Sequence, residues 1–199
     1  MDLAIALLHG TVDLFVEFLS PISPYLIKIY SIQPRTIAML IASIMLITAL
    51  SQIIFAIILP QIKNQWLLLY WIVVLVVLPT SLLSLKINII GLYLIFFIVF
   101  LANAAYHPLG TALANRNQSS KTVTSFVSGG LIGGALGPIF ITWWVGTIGL
   151  KKIIFFNLFI FIILQPILWK LKNNFVLISK HPNFSWKSFP ILIPIWIMV

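Results

Sequence analysis

Polar residues in this chain fall into short clusters, and between them the apolar residues run without alternation. The apolar stretches cover about 3–30, 36–60, 66–85, 89–114 and 121–148, and a sixth runs from Lys151 to near Trp169. Each is close to or above the ~20 apolar residues that a helix needs to cross a hydrocarbon core. In lipid, only helices and closed barrels satisfy their own backbone, and barrel strands alternate between lipid-facing and lumen-facing residues. Continuous runs therefore predict helices, and the chain reads as an all-α polytopic membrane protein. The separators are Gln33-Pro34-Arg35, Gln61 to Gln65, Asn115 to Ser120 and a longer polar stretch from Lys170 to Ser188. A final apolar run, Phe189 to Val199, is too short to cross and reads as the start of a truncated seventh helix. The expected organisation is a six-helix bundle over 1–171, a central cytoplasmic loop over 172–188 and a partial helix over 189–199.

Prolines punctuate the runs. Pro21 and Pro24 predict a kink or local unwinding in the far half of the first helix, because each removes a backbone donor. Pro79 and Pro108 fall inside the third and fourth helices, and Pro138 inside the fifth.

Composition agrees with the pattern. Of 199 residues, 61% are hydrophobic and 8% charged, with a mean hydropathy of +1.15. Soluble domains run about 45–50% apolar and about 25% charged, so a water-soluble fold is excluded. The net charge of +9 does not signal nucleic-acid binding, since Lys and Arg are scattered singly and form no face that tracks phosphates. Cysteine is absent, so there is no disulfide frame and no thiolate metal ligand. With the N-terminus inside, cytoplasmic loops hold Lys63, Arg116, Lys121, Lys170, Lys172, Lys180 and Lys187, while Lys28, Arg35, Lys86, Lys151 and Lys152 fall outside. That bias favours a cytoplasmic N-terminus.

The only acidic residues are Asp2, Asp13 and Glu17. His9, Asp13 and Glu17 recur at i, i+4 and i+8, on one face of a helix. Asp13 lies ~15 Å along the first helix, near mid-membrane, where a carboxylate costs at least ~2.5–3.5 kcal/mol. The stripe must face a bundle interior or a watery cavity. It reads as a proton relay or a site for a cationic group; the competing reading is a polar cluster that only fixes helix packing. Asn103 and His107 share a face of the fourth helix, beside Tyr106 and Pro108. At 1.5 Å per residue, His9 and His107 sit ~9 and ~12 Å from the same membrane side, and Asp13 and Asn103 ~15 and ~18 Å. Matched depth predicts that the two helices are neighbours, with His9 near His107 and Asp13 facing Asn103.

In the fifth helix, Gly129, Gly133 and Gly137 recur every fourth residue, as do Gly130 and Gly134, and Pro138 follows. Such stripes let another helix backbone approach closely. Glycines combined with Pro138 also suggest a flexing element.

Three stretches carry a family resemblance. His9-Gly10-Thr11-Val12-Asp13 with Phe18 to Leu26, and Tyr106-His107-Pro108-Leu109-Gly110-Thr111-Ala112-Leu113-Ala114, resemble the first and fourth helices of fosmidomycin-resistance-type transporters of the major facilitator superfamily. Gly133 to Pro138 resembles that superfamily's fifth-helix motif, associated with antiporters. The likeness spans roughly 8–170. It implies an N-terminal six-helix half of a twelve-helix bundle, with helices 1 and 4 lining a central cavity. It further implies proton-coupled efflux of a drug or small molecule across a bacterial plasma membrane. His9, Asp13, Glu17, Asn103 and His107 would then line the cavity or couple protons, and Gly129, Gly133, Gly137 and Pro138 would pack or flex. Two features depart from the family. The loop Leu59 to Trp66 has no Asp and only Lys63, where the family carries Gly, Asp and several Arg; and the chain has about half the family's length.

The implied partners are the lipid bilayer, a small-molecule substrate, protons, and a second transporter half or a second copy. No cofactor, metal or nucleic acid is implied. An enzyme is disfavoured because no nucleophile motif stands near the two histidines. The alternative is a truncated remnant that does not transport, or a helical membrane module packing against a partner.

Overall fold

The structure, a computed structural model, describes residues 2–85, 87–115 and 119–175. The expected loop beyond Phe175 and the run over 189–199 lie outside the described residues, as do Lys86, Arg116, Lys180 and Lys187 of the charge pattern. Seven helices follow in order: α1 (Asp2–Val16), α2 (Leu19–Tyr30), α3 (Pro34–Ile58), α4 (Gln65–Val77), α5 (Ile89–Asn115), α6 (Ser120–Thr147) and α7 (Ile153–Phe175). No strand occurs among the described residues. With α1 and α2 counted as one interrupted segment, six segments are long and apolar enough to cross a membrane. The chain is an all-α polytopic bundle with the character of an integral membrane protein.

The first span breaks earlier than its prolines. The interruption falls at Glu17 and Phe18, not at Pro21 or Pro24. The reason is the donor that Pro21 lacks: it leaves the carbonyl of Glu17, four residues back, without its helical partner. Phe18 N bonds instead to Phe15 O at 3.3 Å, a tightened turn. Pro24 frees the carbonyl of Ser20 in the same way, and the Ser23 hydroxyl donates to that carbonyl at 2.7 Å. α2 therefore continues through Pro24.

The third span is not one helix over 66–85. α4 stops at Val77, and Pro79–Ser84 forms a 3-10 helix. Thr80 Oγ1 donates to Val77 O at 2.8 Å, and the side-chain amide of Asn157 on α7 lies 2.8 Å from Thr80 Oγ1 and 3.0 Å from Ser81 Oγ. A buried polar knot thus stands where the helix changes pitch. The last helix also runs past the expected end near Trp169, to Phe175. Lys172 lies over the rings of Trp66 and Trp169, 5.0 and 4.7 Å from their centroids, and Trp66 Nε1 donates to Leu168 O. The lysine stem covers apolar surface while its charge meets two aromatic faces, so a basic residue here extends the helix.

α1 and α5 form the most buried part of the bundle, whereas α3 buries only Ile37, Leu40 and Ile44 and turns Met39, Met45, Leu46, Leu50 and Ile54 outward. In water that face would be an aggregation surface; in a bilayer it meets acyl chains. The closest helix pair is α1 with α6, which run parallel. A Cβ on Gly129 would strike the Ala6 backbone, one on Gly133 the Gly10 backbone, and one on Gly137 would lie 2.7 Å from Leu14 O. The stripe Gly129, Gly133, Gly137 therefore lies against Ala6, Gly10 and Leu14. At the head of this seam, Asp2 accepts from Thr122 Oγ1 at 2.7 Å and lies 4.0 Å from Lys121 Nζ, so its charge sits by the positive end of α6. Beyond the seam, the Phe140 ring lies tilted against Phe156, 4.2 Å between centroids, and joins α6 to α7.

Gly133→Leu forces two backbones apart and should cost about 1–3 kcal/mol or more, read as lower yield and a lower melting temperature in detergent. Leu131 is 71% exposed, so Leu131→Ala should change neither. Equal stability of the two variants would refute the seam.

Candidate functional site

α1 and α6 approach so closely that the side chains of α1 facing α5 are fixed in place. His9 is held at three points. Its Nδ1 lies 2.7 Å from the carbonyl of Phe126 on α6, its ring stacks on the Phe126 ring at 3.9 Å, and Tyr106 of α5 lies 5.5 Å away. A carbonyl only accepts, so Nδ1 carries the proton and donates. In the neutral ring Nε2 is then an acceptor.

That acceptor faces other acceptors. His9 Nε2 approaches Asp13 Oδ2 at 3.2 Å, yet makes no hydrogen bond of proper geometry and is buried. Asp13 Oδ1 lies 3.7 Å from His107 Nε2 on α5. The rings of His9 and His107 meet edge to face, 5.2 Å between centroids. A carboxylate against an imidazole lone pair is repulsive, and the apolar surroundings magnify this. The arrangement calls for one positive charge among the three groups, a proton or a cation.

Gly130 makes the room. A Cβ there would lie 2.6 Å from His9 Cε1 and 2.7 Å from Asp13 Oδ2. So the second glycine stripe does not pack a helix: Gly130 faces the triad, and a Cβ on Gly134 would meet nothing within 4 Å. His9, Asp13 and His107 open onto a cavity of about 760 Å³, also lined by Gln52 of α3 and Thr111 of α5. The cavity wall is mostly apolar with a few convergent polar groups, the usual make-up of a small-molecule site.

The structure thus brings together His9, Asp13 and His107, from α1 and α5. His9 lies beside His107 as matched depth predicted, their rings 5.2 Å apart, and Asp13 reaches His107 as well, because side chains on a helix lean toward its N-terminus. Asn103 Oδ1 is buried with no hydrogen-bond partner among the described residues. Glu17 is exposed at the break between α1 and α2, one turn beyond Asp13 and beside Gly137 of α6, with no ion pair among the described residues. Pro138 lies within α6 without interrupting it. Sequence reasoning named no metal ligand set, whereas His9, Asp13 and His107 each offer a donor atom within 4.8 Å of the others.

Three contributors escaped the sequence reading. Gln52 is an amide inside an apolar run, a signal open to inspection. Thr111 has no such signal. The Phe126 carbonyl has none at all, since only packing aims it at His9.

The fold and this site define the class: a helical membrane protein with a histidine–carboxylate triad inside its bundle. Compared with known proteins, the chain matches no family model, no curated protein and no solved structure.

In nitrogen-15-labelled protein, Asp13→Asn should shift the ring resonances of both His9 and His107. A response from His9 alone, its neighbour in sequence, would refute the pairing across helices.

Proposed function

We propose that this chain is one half of a secondary transporter of the major facilitator type, exporting a drug or small molecule in exchange for protons by alternating access. One observation carries the reading: a triad that calls for a single positive charge converges from two helices onto a half-open cavity bordered by α1, α3, α5 and α6. Ionisable groups within membrane spans characteristically mark ion and substrate pathways. The stretches His9 to Asp13 and Tyr106 to Ala114, whose resemblance implied this family, are the ones that supply the triad. Asp13 is the residue that couples transport to the ion, with His9 and His107 sharing its charge; Glu17 is dispensable. The site faces the second half of the transporter, either a separate chain or a second copy of this one, and the N-terminus is cytoplasmic in a bacterial plasma membrane.

The test is reconstitution of the full chain into liposomes with a lumenal pH dye. Drug-like small molecules, added one at a time, should elicit proton movement, and cross-linking should show the active species to be paired. Asp13→Asn should abolish that movement and Glu17→Gln should preserve it. Proton movement that survives Asp13→Asn, or none from any oligomer, would overturn the proposal.

A further inference from the structure

The geometry points to a divalent metal site of the zinc class, formed by His9, Asp13 and His107. The inference deepens the transporter reading, on which it rests for its role: it names a cation that the same site takes from the cavity. Four observations converge.

The first is spacing. One donor atom from each residue lies within 4.8 Å of the others, and the two distances to the carboxylate are 3.2 and 3.7 Å. Zinc bonds its ligands at ~2.0–2.2 Å, so neighbouring donors of a tetrahedral site stand ~3.3 Å apart. Small rotations of His107 and Asp13 close the set.

The second is orientation. Metal-ligating histidines almost always donate their other ring N–H to a carboxylate, carbonyl or water, which fixes the tautomer. His9 does this through Nδ1 to Phe126 O at 2.7 Å. The third is the resulting orphan. His9 is only 6% exposed, and its Nε2 has no hydrogen-bond partner among the described residues. A shared proton relieves one pair of acceptors. A metal ion relieves all three donors at once.

The fourth is the open side. Two imidazoles and one carboxylate leave at least one coordination position, and it faces the cavity near Gln52 and Thr111. Three protein ligands plus an exchangeable position mark functional rather than structural zinc sites. Imidazole nitrogens favour zinc, cobalt and nickel over magnesium and calcium, and the lack of thiolate disfavours copper(I). Gly130 belongs to the same device, because any side chain there would fill the space of the ligands.

The experiment uses the full chain, free of a polyhistidine tag, stripped of metal and held in lipid nanodiscs. Zinc is titrated by calorimetry, and cobalt by its visible absorption. One ion per chain should bind, with the cobalt spectrum of a low-symmetry nitrogen–oxygen site. Asp13→Asn and His107→Gln should each weaken zinc by more than about 100-fold, beyond the 10–100-fold that outer-shell changes cost. Circular dichroism checks that each variant is folded, and His107→Gln decides if Asp13→Asn is not. His181→Ala should leave the affinity unchanged. Lack of saturable binding, binding that survives loss of these ligands, or binding lost with His181→Ala would overturn the site. Proton movement measured on the same preparation separates the two readings. Transport without zinc binding sinks the metal site and leaves the transporter standing; zinc held by these ligands without transport does the reverse.

Discussion

Two parallel helices, α1 and α6, approach until their backbones touch, with no room for a Cβ on Gly129 or Gly133 against Ala6 and Gly10. No hydrophobic force drives helices together in lipid, so van der Waals contact at such seams supplies much of the association. The site depends on this contact. It carries Phe126 to the His9 ring, so one aromatic face and one carbonyl hold a histidine that would otherwise rotate freely. It also brings Gly130 level with Asp13, where the missing side chain leaves space for a carboxylate and an imidazole. Packing and chemistry are two faces of one glycine-rich helix: Gly129, Gly133 and Gly137 close the seam, while Gly130 leaves the opening.

Backbone satisfaction explains the irregular parts. A bilayer offers no water to a carbonyl that proline has stripped of its donor. Where the loss is repaired by a nearby hydroxyl, as Ser23 repairs Ser20, the helix continues. At Glu17 the chain tightens and changes course, and Glu17 ends on the outside of the break. At Pro79 the pitch changes, and Asn157 from another helix meets the hydroxyls of Thr80 and Ser81. The prolines differ in outcome: Pro108, Pro138 and Pro166 sit inside unbroken helices, whereas the chain breaks before Pro21 and changes pitch at Pro79.

The triad combines a rigid member and two adjustable ones. His9 is clamped by Phe126 and Tyr106, whereas the side chains of His107 and Asp13 are 29% and 21% exposed beside the cavity. A fixed donor with two movable ones can hold a charge and release it to the cavity side. A fully clamped set would hold it permanently.

Length and polarity of the runs were enough to determine that the described residues form an all-α bundle of six segments able to cross a membrane, because lipid leaves a run of ~20 apolar residues few other ways to satisfy its backbone. The residues that matter were legible for a related reason: a carboxylate or imidazole is too costly at mid-membrane to sit there idly, so His9, Asp13 and His107 stood out unaided. What the sequence left undecided was partnership. Depth arithmetic brought the first and fourth helices together and set His9 beside His107, but it did not foresee that Asp13 reaches His107 as well, which depends on the lean of a side chain and not on rise per residue. The periodicity that put Glu17 on the stripe did not reveal that the helix breaks there, at the carbonyl that Pro21 leaves without a donor. The two glycine stripes looked alike in sequence; only the assembled bundle separated the one against a backbone from the one beside a triad. The Phe126 carbonyl, which sets the tautomer of His9, is a main-chain atom identical in every residue, so nothing but tertiary structure could have aimed it.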